Sequence, residues 1–295
     1  MRNRVSLSVI LTCAVVALGG CSRPRPERDA GPRIVSLAPN LTEIVCAVNA
    51  GDRLVGRTTA CNYPPAVVTN VPAVGGFGAP SLELLLKARP TIILEVDLAD
   101  KSLADRLREL GIPMERVPCR NLDDIPAAIR RIGEIAGAPR AGPMADKLAA
   151  KIAELRQARR SPAAQPAVFV EIWDDPLTTA GKGSFLSELV ALAGGRNVGD
   201  RVDKDFYVAA PEWVVAQNPD IILGFSGQPR STALARMQDR PGWAGVNAVR
   251  TGRVYAGLND DVLLRPGPRV LDGIEELRRC IEPAAKQAPA ARAQP

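Results

Sequence analysis

The 295-residue sequence contains no histidine. That absence removes imidazole-based zinc and copper sites, and every catalytic pair in which histidine activates a serine or cysteine. It also weighs against a mononuclear metal ion as cargo. Aromatic residues are few, with 3 Trp, 3 Tyr and 5 Phe, so where they fall carries information. The net charge of +6 is spread along the chain without a block of like charges, which leaves no electrostatic footprint for nucleic acid. No GxGxxG, P-loop, GxSxG or HExxH motif occurs, and no CxxC pair. Gly181-Lys-Gly-Ser184 shapes a turn and is not a Walker motif. The chain is therefore not expected to be an enzyme, and neither a resident cofactor nor a metal is expected.

What is present begins with an export segment over residues 1–21. Arg2 and Arg4 precede an apolar run from Val5 to Leu18, too short for a comfortable membrane span. The run ends in Leu18-Gly-Gly-Cys21, which resembles a bacterial lipobox. That resemblance implies acylation of Cys21 and an extracytoplasmic protein held to a membrane by its lipid alone; an ordinary cleaved signal peptide is the alternative. Four cysteines then remain, Cys46, Cys61, Cys119 and Cys280. An oxidising compartment permits disulfides, and four cysteines allow three connectivities.

Residues 22–32 read as a flexible Pro- and Arg-rich tether. From Arg33 onward short buried strands alternate with helices, the pattern of a parallel, doubly wound sheet. The strands fall at 33–39, 54–59, 91–96, 114–118, 167–173, 221–223 and 254–256, and the helices at 42–48, 81–88, 102–110, 122–137, 185–193, 211–217 and 270–281. Asn40 or Thr42 serves as the expected cap of the first helix. A longer amphipathic helix, Pro143 to Arg160, carries Met144, Leu148, Ile152 and Leu155 on one face. The expected fold is α/β: two Rossmann-like lobes, 33–142 and 162–282, joined by one long helix at 143–161, with a disordered tail at 283–295.

Two repeats support the division. Ser81-Leu-Glu-Leu-Leu-Leu-Lys-Ala-Arg-Pro-Thr-Ile-Ile-Leu94 matches Ala210-Pro-Glu-Trp-Val-Val-Ala-Gln-Asn-Pro-Asp-Ile-Ile-Leu223, so that Glu83, Pro90 and Ile92 recur as Glu212, Pro219 and Ile221. Thr42-Glu-Ile-Val45 likewise echoes Ser187-Glu-Leu-Val190.

In open parallel sheets, ligands bind beyond the carboxyl ends of the strands. Six of the eleven aromatics fall in the loops this rule selects: Tyr63, Phe77, Trp173, Phe206, Tyr207 and Phe225. Such a concentration suits a large, flat, partly apolar ligand. The charged residues of these loops are mixed in sign, with Arg57, Arg120, Lys182 and Arg265 against Asp97, Asp174, Asp175, Asp260 and Asp261. A strongly anionic ligand would call for an excess of arginine. Asp260, Asp261 and Arg265 rank highest among them, in a loop bounded by two glycines, and Asp260 with Asp261 would be the carboxylates of the alternative, an exported α/β enzyme.

Several stretches together resemble the helical-backbone substrate-binding proteins of ABC importers, in the cobalamin and ferric-siderophore branch. They are Ile34-Val-Ser-Leu-Ala-Pro-Asn-Leu-Thr-Glu43, Val55-Gly56 with Asn62-Tyr-Pro-Pro65, Ser81-Leu-Glu83 with Lys87-Ala-Arg-Pro90, and Arg265-Pro-Gly-Pro-Arg269. The resemblance spans about residues 32 to 282. It implies a monomer with a cleft between two lobes, little hinge motion, and Glu83 and Glu212 docking onto the two subunits of a permease dimer. The implied ligand is cobalamin or a related corrinoid, with a ferric siderophore or haem as competitors. Phe77 stands where a tryptophan is common in that branch, and Ala193 where some members carry a cysteine that pairs near the last helix. Cys280 thus lacks its expected partner, and the expectation is a disulfide between Cys61 and Cys119, which both end strands of one lobe.

Overall fold

The computed structural model describes residues 31–96, 101–159, 161, 165–225, 227 and 229–285. The export segment, Cys21, Asp97 and the last ten residues lie outside the described residues.

The first half runs β1 (Ile34–Ser36), α1 (Pro39–Ala47), β2 (Leu54–Arg57), α2 (Pro65–Val68), β3 (Gly75–Gly76), β4 (Ala79–Pro80), α3 (Leu82–Ala88), β5 (Ile92–Glu95), α4 (Lys101–Glu109), β6 (Met114–Arg116) and α5 (Asp124–Ala136). A four-stranded parallel sheet, ordered β2-β1-β5-β6, forms its centre. The long helix α6 (Ala141–Gln157) follows, and its 17 residues reach roughly 26 Å at 1.5 Å per residue. The second half runs β7 (Ala167–Asp174), β8 (Leu177–Ala180), α7 (Phe185–Leu192), β9 (Arg196–Asn197), β10 (Phe206–Val208), α8 (Pro211–Gln217), β11 (Ile221–Gly224), α9 (Arg230–Asp239), α10 (Asn247–Arg250), β12 (Val254–Ala256), α11 (Asp260–Leu263) and α12 (Val270–Ala285).

The second sheet, ordered β10-β8-β7-β11-β12 with β9 beside β7, departs from the all-parallel expectation. β8 turns back antiparallel to β7, and β10 lies antiparallel on β8 as the edge strand. α12 runs to Ala285, past the boundary at 282 read from the sequence.

The central strands of each sheet are covered on both faces, which is why they read as unbroken apolar runs. Successive residues point to opposite faces. Ile34 and Leu94 of the first sheet join Val168, Val170, Ile221 and Leu223 of the second in one continuous core, packed with α1, α5, α6, α7 and α12. Ala145, Leu148 and Ile152 are the buried stripe that α6 gives to it. The alternate residues face two separate outer clusters: Ile93 with Leu85 of α3, and Ile222 with Val214 of α8. The repeated helix–strand unit is thus the outer layer of each half. Arg89 and Asn218 end α3 and α8 in the left-handed conformation. The strain at Arg89 is offset locally, since the Arg33 guanidinium donates to the carbonyls of Arg89 and Ala88, both at 2.8 Å.

The cap of α1 differs from expectation. The helix starts at Pro39, whose fixed φ and missing N–H suit its first turn. Ala38 is the cap residue, and neither Asn40 nor Thr42 caps. Thr42 Oγ1 donates to Ser36 Oγ at 2.9 Å, and Asn40 reaches across to the second half.

Candidate functional site

The carboxyl ends of the strands open onto a cavity of about 570 Å³ lined by both halves, within the range of small-molecule sites. Asn40, Phe77, Cys119 and Arg120 come from the first half, and Phe206, Leu264 and Arg265 from the second.

Phe77 is displayed by a two-residue turn. Gly76 pairs with Ala79 across β3 and β4, leaving Phe77-Gly78 as the tip. Gly75 has φ of +130°, and a Cβ there would lie 2.6 Å from the Ala79 carbonyl oxygen, so only glycine fits. Phe77 is 49% exposed at the cavity rim. Opposite it, Phe206 on edge strand β10 is also 49% exposed.

Register explains which other aromatics join them. Phe206 pairs with Ala180, Val208 with Thr178, and Trp173 with the same Thr178. Phe206, Val208 and Trp173 therefore lie on one face of the sheet, all exposed, as an apolar strip continuing away from the cavity. Trp173 does not line the cavity itself.

Of the predicted ligand residues, Tyr63, Trp173, Tyr207, Phe225 and Asp261 are not in the cavity lining, and two of them, Tyr207 and Phe225, face away from it. Tyr207 follows Phe206 in a strand, not a loop, so it points to the opposite face. There it packs edge-on against Trp213, and its hydroxyl donates to the Gly199 carbonyl at 3.3 Å. Phe225 is buried in the continuous core. The loop reading missed β10 because a three-residue strand leaves no periodicity to detect.

Behind the cavity, loops of the two halves are tied by polar contacts. Arg265 donates to Asn62 Oδ1 at 2.8 Å and pairs with Asp261 at 2.5 Å. Asn62 Nδ2 in turn donates to Asp261 at 2.6 Å. Asp261 thus orients Arg265 and does not line the cavity. The Pro266 carbonyl accepts from Asn40 Nδ2 and from the Cys119 thiol, both at 3.0 Å. Arg269 lies over the ring of Tyr63, its guanidinium carbon 3.9 Å from the centroid. That stacked geometry favours a cation–π contact. Asp260 sits on the first turn of α11, and burial first, then Asp261 and Glu276, raise its carboxyl above the ordinary range.

The expected Cys61–Cys119 disulfide is not formed, because each thiol is engaged elsewhere. Cys61 sits between the hydroxyls of Thr42 and Thr58, at 3.1 and 3.2 Å. Burial pushes the Cys119 thiol up to about 12.

Glu83 and Glu212 are exposed on the first turns of α3 and α8. Arg120 and Leu264, which line the cavity, were not selected from the sequence. Arg120 follows the end of a strand and satisfied the loop rule, but one arginine among mixed charges gave no reason to select it.

A family model described as periplasmic binding protein matches residues 34–260. The chain is 28% identical to the ABC transporter substrate-binding lipoprotein YvrC of Bacillus subtilis, over 96% of this chain and 98% of that one. It is 30% identical to a vitamin B12-binding protein of Vibrio cholerae, over 86% of this chain and 91% of that one. Among solved structures it is similar to the periplasmic haem-binding protein RhuT of Roseiflexus in apo form, with 28% identity and a TM-score of 0.73 over 86% of this chain and 99% of that one.

Proposed function

The chain belongs to the periplasmic binding protein family, and we propose that it is the substrate-binding component of an ABC importer that captures cobalamin or a related corrinoid. The observation that carries this reading is the pair of exposed phenylalanines, Phe77 and Phe206, facing one cavity from opposite halves. Two such rings bury the faces of a flat ligand without demanding charge. The similarity to a vitamin B12-binding protein over most of both chains supports it. Haem is the second reading, favoured by the similarity to RhuT. Capture, not turnover, is the activity, since the family is one of binding proteins.

In this reading residues 33–142 and 162–282 act as two lobes, and the continuous core beneath them keeps their relative motion small. Glu83 and Glu212 grip the permease. Each is exposed, and neither has an ion-pair partner among the described residues. A ligand carrier with an approximate two-fold repeat meets a two-fold permease with one matching anion on each half. The Cys21 lipid holds the monomer at an extracytoplasmic membrane face. Calorimetric titration with cyanocobalamin, cobinamide, haemin and a small siderophore panel tests the assignment. Saturable corrinoid binding is expected. Its absence at micromolar protein, with haemin or a siderophore binding, would move the cargo to that class.

A further inference from the structure

Among the described residues two charged side chains line the cavity, Arg120 and Arg265, and both are cations. They are not equivalent. Arg265 is paired with Asp261 at 2.5 Å and lies 4.0 Å from Glu43. The nearby Arg269 is held by Glu43. Elsewhere, Arg57 is used up on the carbonyls of Val68 and Thr58, and Arg236 on Glu171 and Asp174. The Arg120 guanidinium has no ion-pair or hydrogen-bond partner among the described residues. After pairing, the described lining of the cavity keeps one positive charge.

That charge is presented from a fixed backbone. The N–H groups of Arg120 and Asn121 both donate to the Asp124 carboxylate, at 2.7 and 3.4 Å, and the Asp124 N–H donates back to Asn121 Oδ1 at 2.9 Å. On the other side, the Cys119 thiol is anchored to the Pro266 carbonyl. Bracing the loop spares backbone ordering on binding, and the planar guanidinium fork matches the two oxygens of an oxyacid.

Resting on the capture reading, we infer that Arg120 is the specificity-determining residue of this site, selecting ligands that carry an oxyacid group, carboxylate or phosphodiester, on a flat apolar body. Phe77 and Phe206 hold the body and Arg120 reads the substituent. A cation beside apolar walls discriminates more strongly than one in open water, because the ligand anion trades hydration for a charge-assisted fork.

The test is titration of the wild type, Arg120→Gln and Arg120→Lys with two pairs of probes. Cyanocobalamin and dicyanocobinamide differ by the phosphodiester-bearing arm; haemin and haemin dimethyl ester differ by free carboxylates. In one pair, the wild type should prefer the oxyacid-bearing member about tenfold or more. Arg120→Gln should bring that pair to parity without weakening the other member, and Arg120→Lys should keep part of the preference. The responding pair identifies the source, phosphodiester or carboxylate. Equal wild-type affinity within both pairs, or equal weakening of both members by Arg120→Gln, would overturn the assignment while leaving capture intact. Failure of all four probes to bind would overturn the corrinoid and haem readings of the cargo and this inference with them.

Discussion

Arg269 donates two parallel hydrogen bonds to Glu43, Nε to Oε2 at 2.8 Å and Nη2 to Oε1 at 2.7 Å, across 226 positions of sequence. Glu43 is buried on α1 of the first half, and Arg269 precedes α12 of the second. The echoed Glu188 makes the reciprocal tie: from α7 of the second half it pairs with Arg156 of α6 at 2.5 Å and accepts from the Leu122 N–H of the first. The repeated Thr-Glu and Ser-Glu segments thus cross-brace the two halves.

Removing one member of a buried pair strands the other, at about 3 kcal/mol or more. Glu43→Ala should lower stability by that order, read as a shift in the urea midpoint. Glu188→Ala should cost less, because Glu188 is partly exposed and Arg156 keeps Asp123 at 2.7 Å. Equal losses would show that burial of the first pair does not set its strength.

The aromatic residues should separate into two classes. Phe206→Ala should weaken ligand binding with little change in melting temperature, since the ring is half exposed at the cavity. Phe225→Ala should cost about 3–5 kcal/mol of stability, as large-to-small core changes do. Calorimetry and thermal melts on the same two variants decide it.

That separation marks how far the sequence could be read. Long-range layering was legible because burial on both sheet faces writes unbroken apolar runs such as Ile221-Ile-Leu223, and because the outer unit occurs twice. The rule placing ligands beyond strand ends picked out Phe77, Phe206 and Arg265, which line the cavity. It could not assign faces, since Phe206 and Tyr207 differ only by the period-two alternation of a strand too short to announce itself. Nor could it pair charges: Asp261 and Arg265 look alike as loop ions until geometry shows the first orienting the second. The disulfide expectation failed for a similar reason, as strand ends fix where two cysteines lie but not where their thiols point.

Glu83→Ala and Glu212→Ala should leave ligand affinity unchanged, because both residues sit on the outer helices α3 and α8 and neither lines the cavity. Uptake in cells carrying the cognate permease should fall. A variant that loses ligand affinity would remove its glutamate from the docking role.

Alkylation under denaturing conditions without reductant, followed by peptide mass mapping, should find Cys61 and Cys119 both modified as free thiols. In the native protein at about pH 8, Cys119 should resist alkylation, since burial pushes its thiol up to about 12 and little thiolate forms. Recovery of a linked Cys61–Cys119 peptide would contradict the structure.

Asp260 gives a pH signature with a definite sign. Its carboxyl is raised in the folded protein, so the native state holds that proton more tightly than the unfolded chain does. This contribution to stability is full below the ordinary aspartate value of 3.8 and is lost as pH rises through the raised one. At neutral pH the ionised group therefore subtracts stability, through its desolvation and its repulsion by Asp261 and Glu276. Asp260→Asn should melt above the wild type at about pH 7, and the difference should close as pH falls to about 3. The opposing effect is the favourable place of a carboxylate on the first turn of α11. That helix has four residues, so its dipole is small and desolvation should win. An Asp260→Asn variant that melts below the wild type at neutral pH would reverse that order and assign the carboxylate to holding α11 in place.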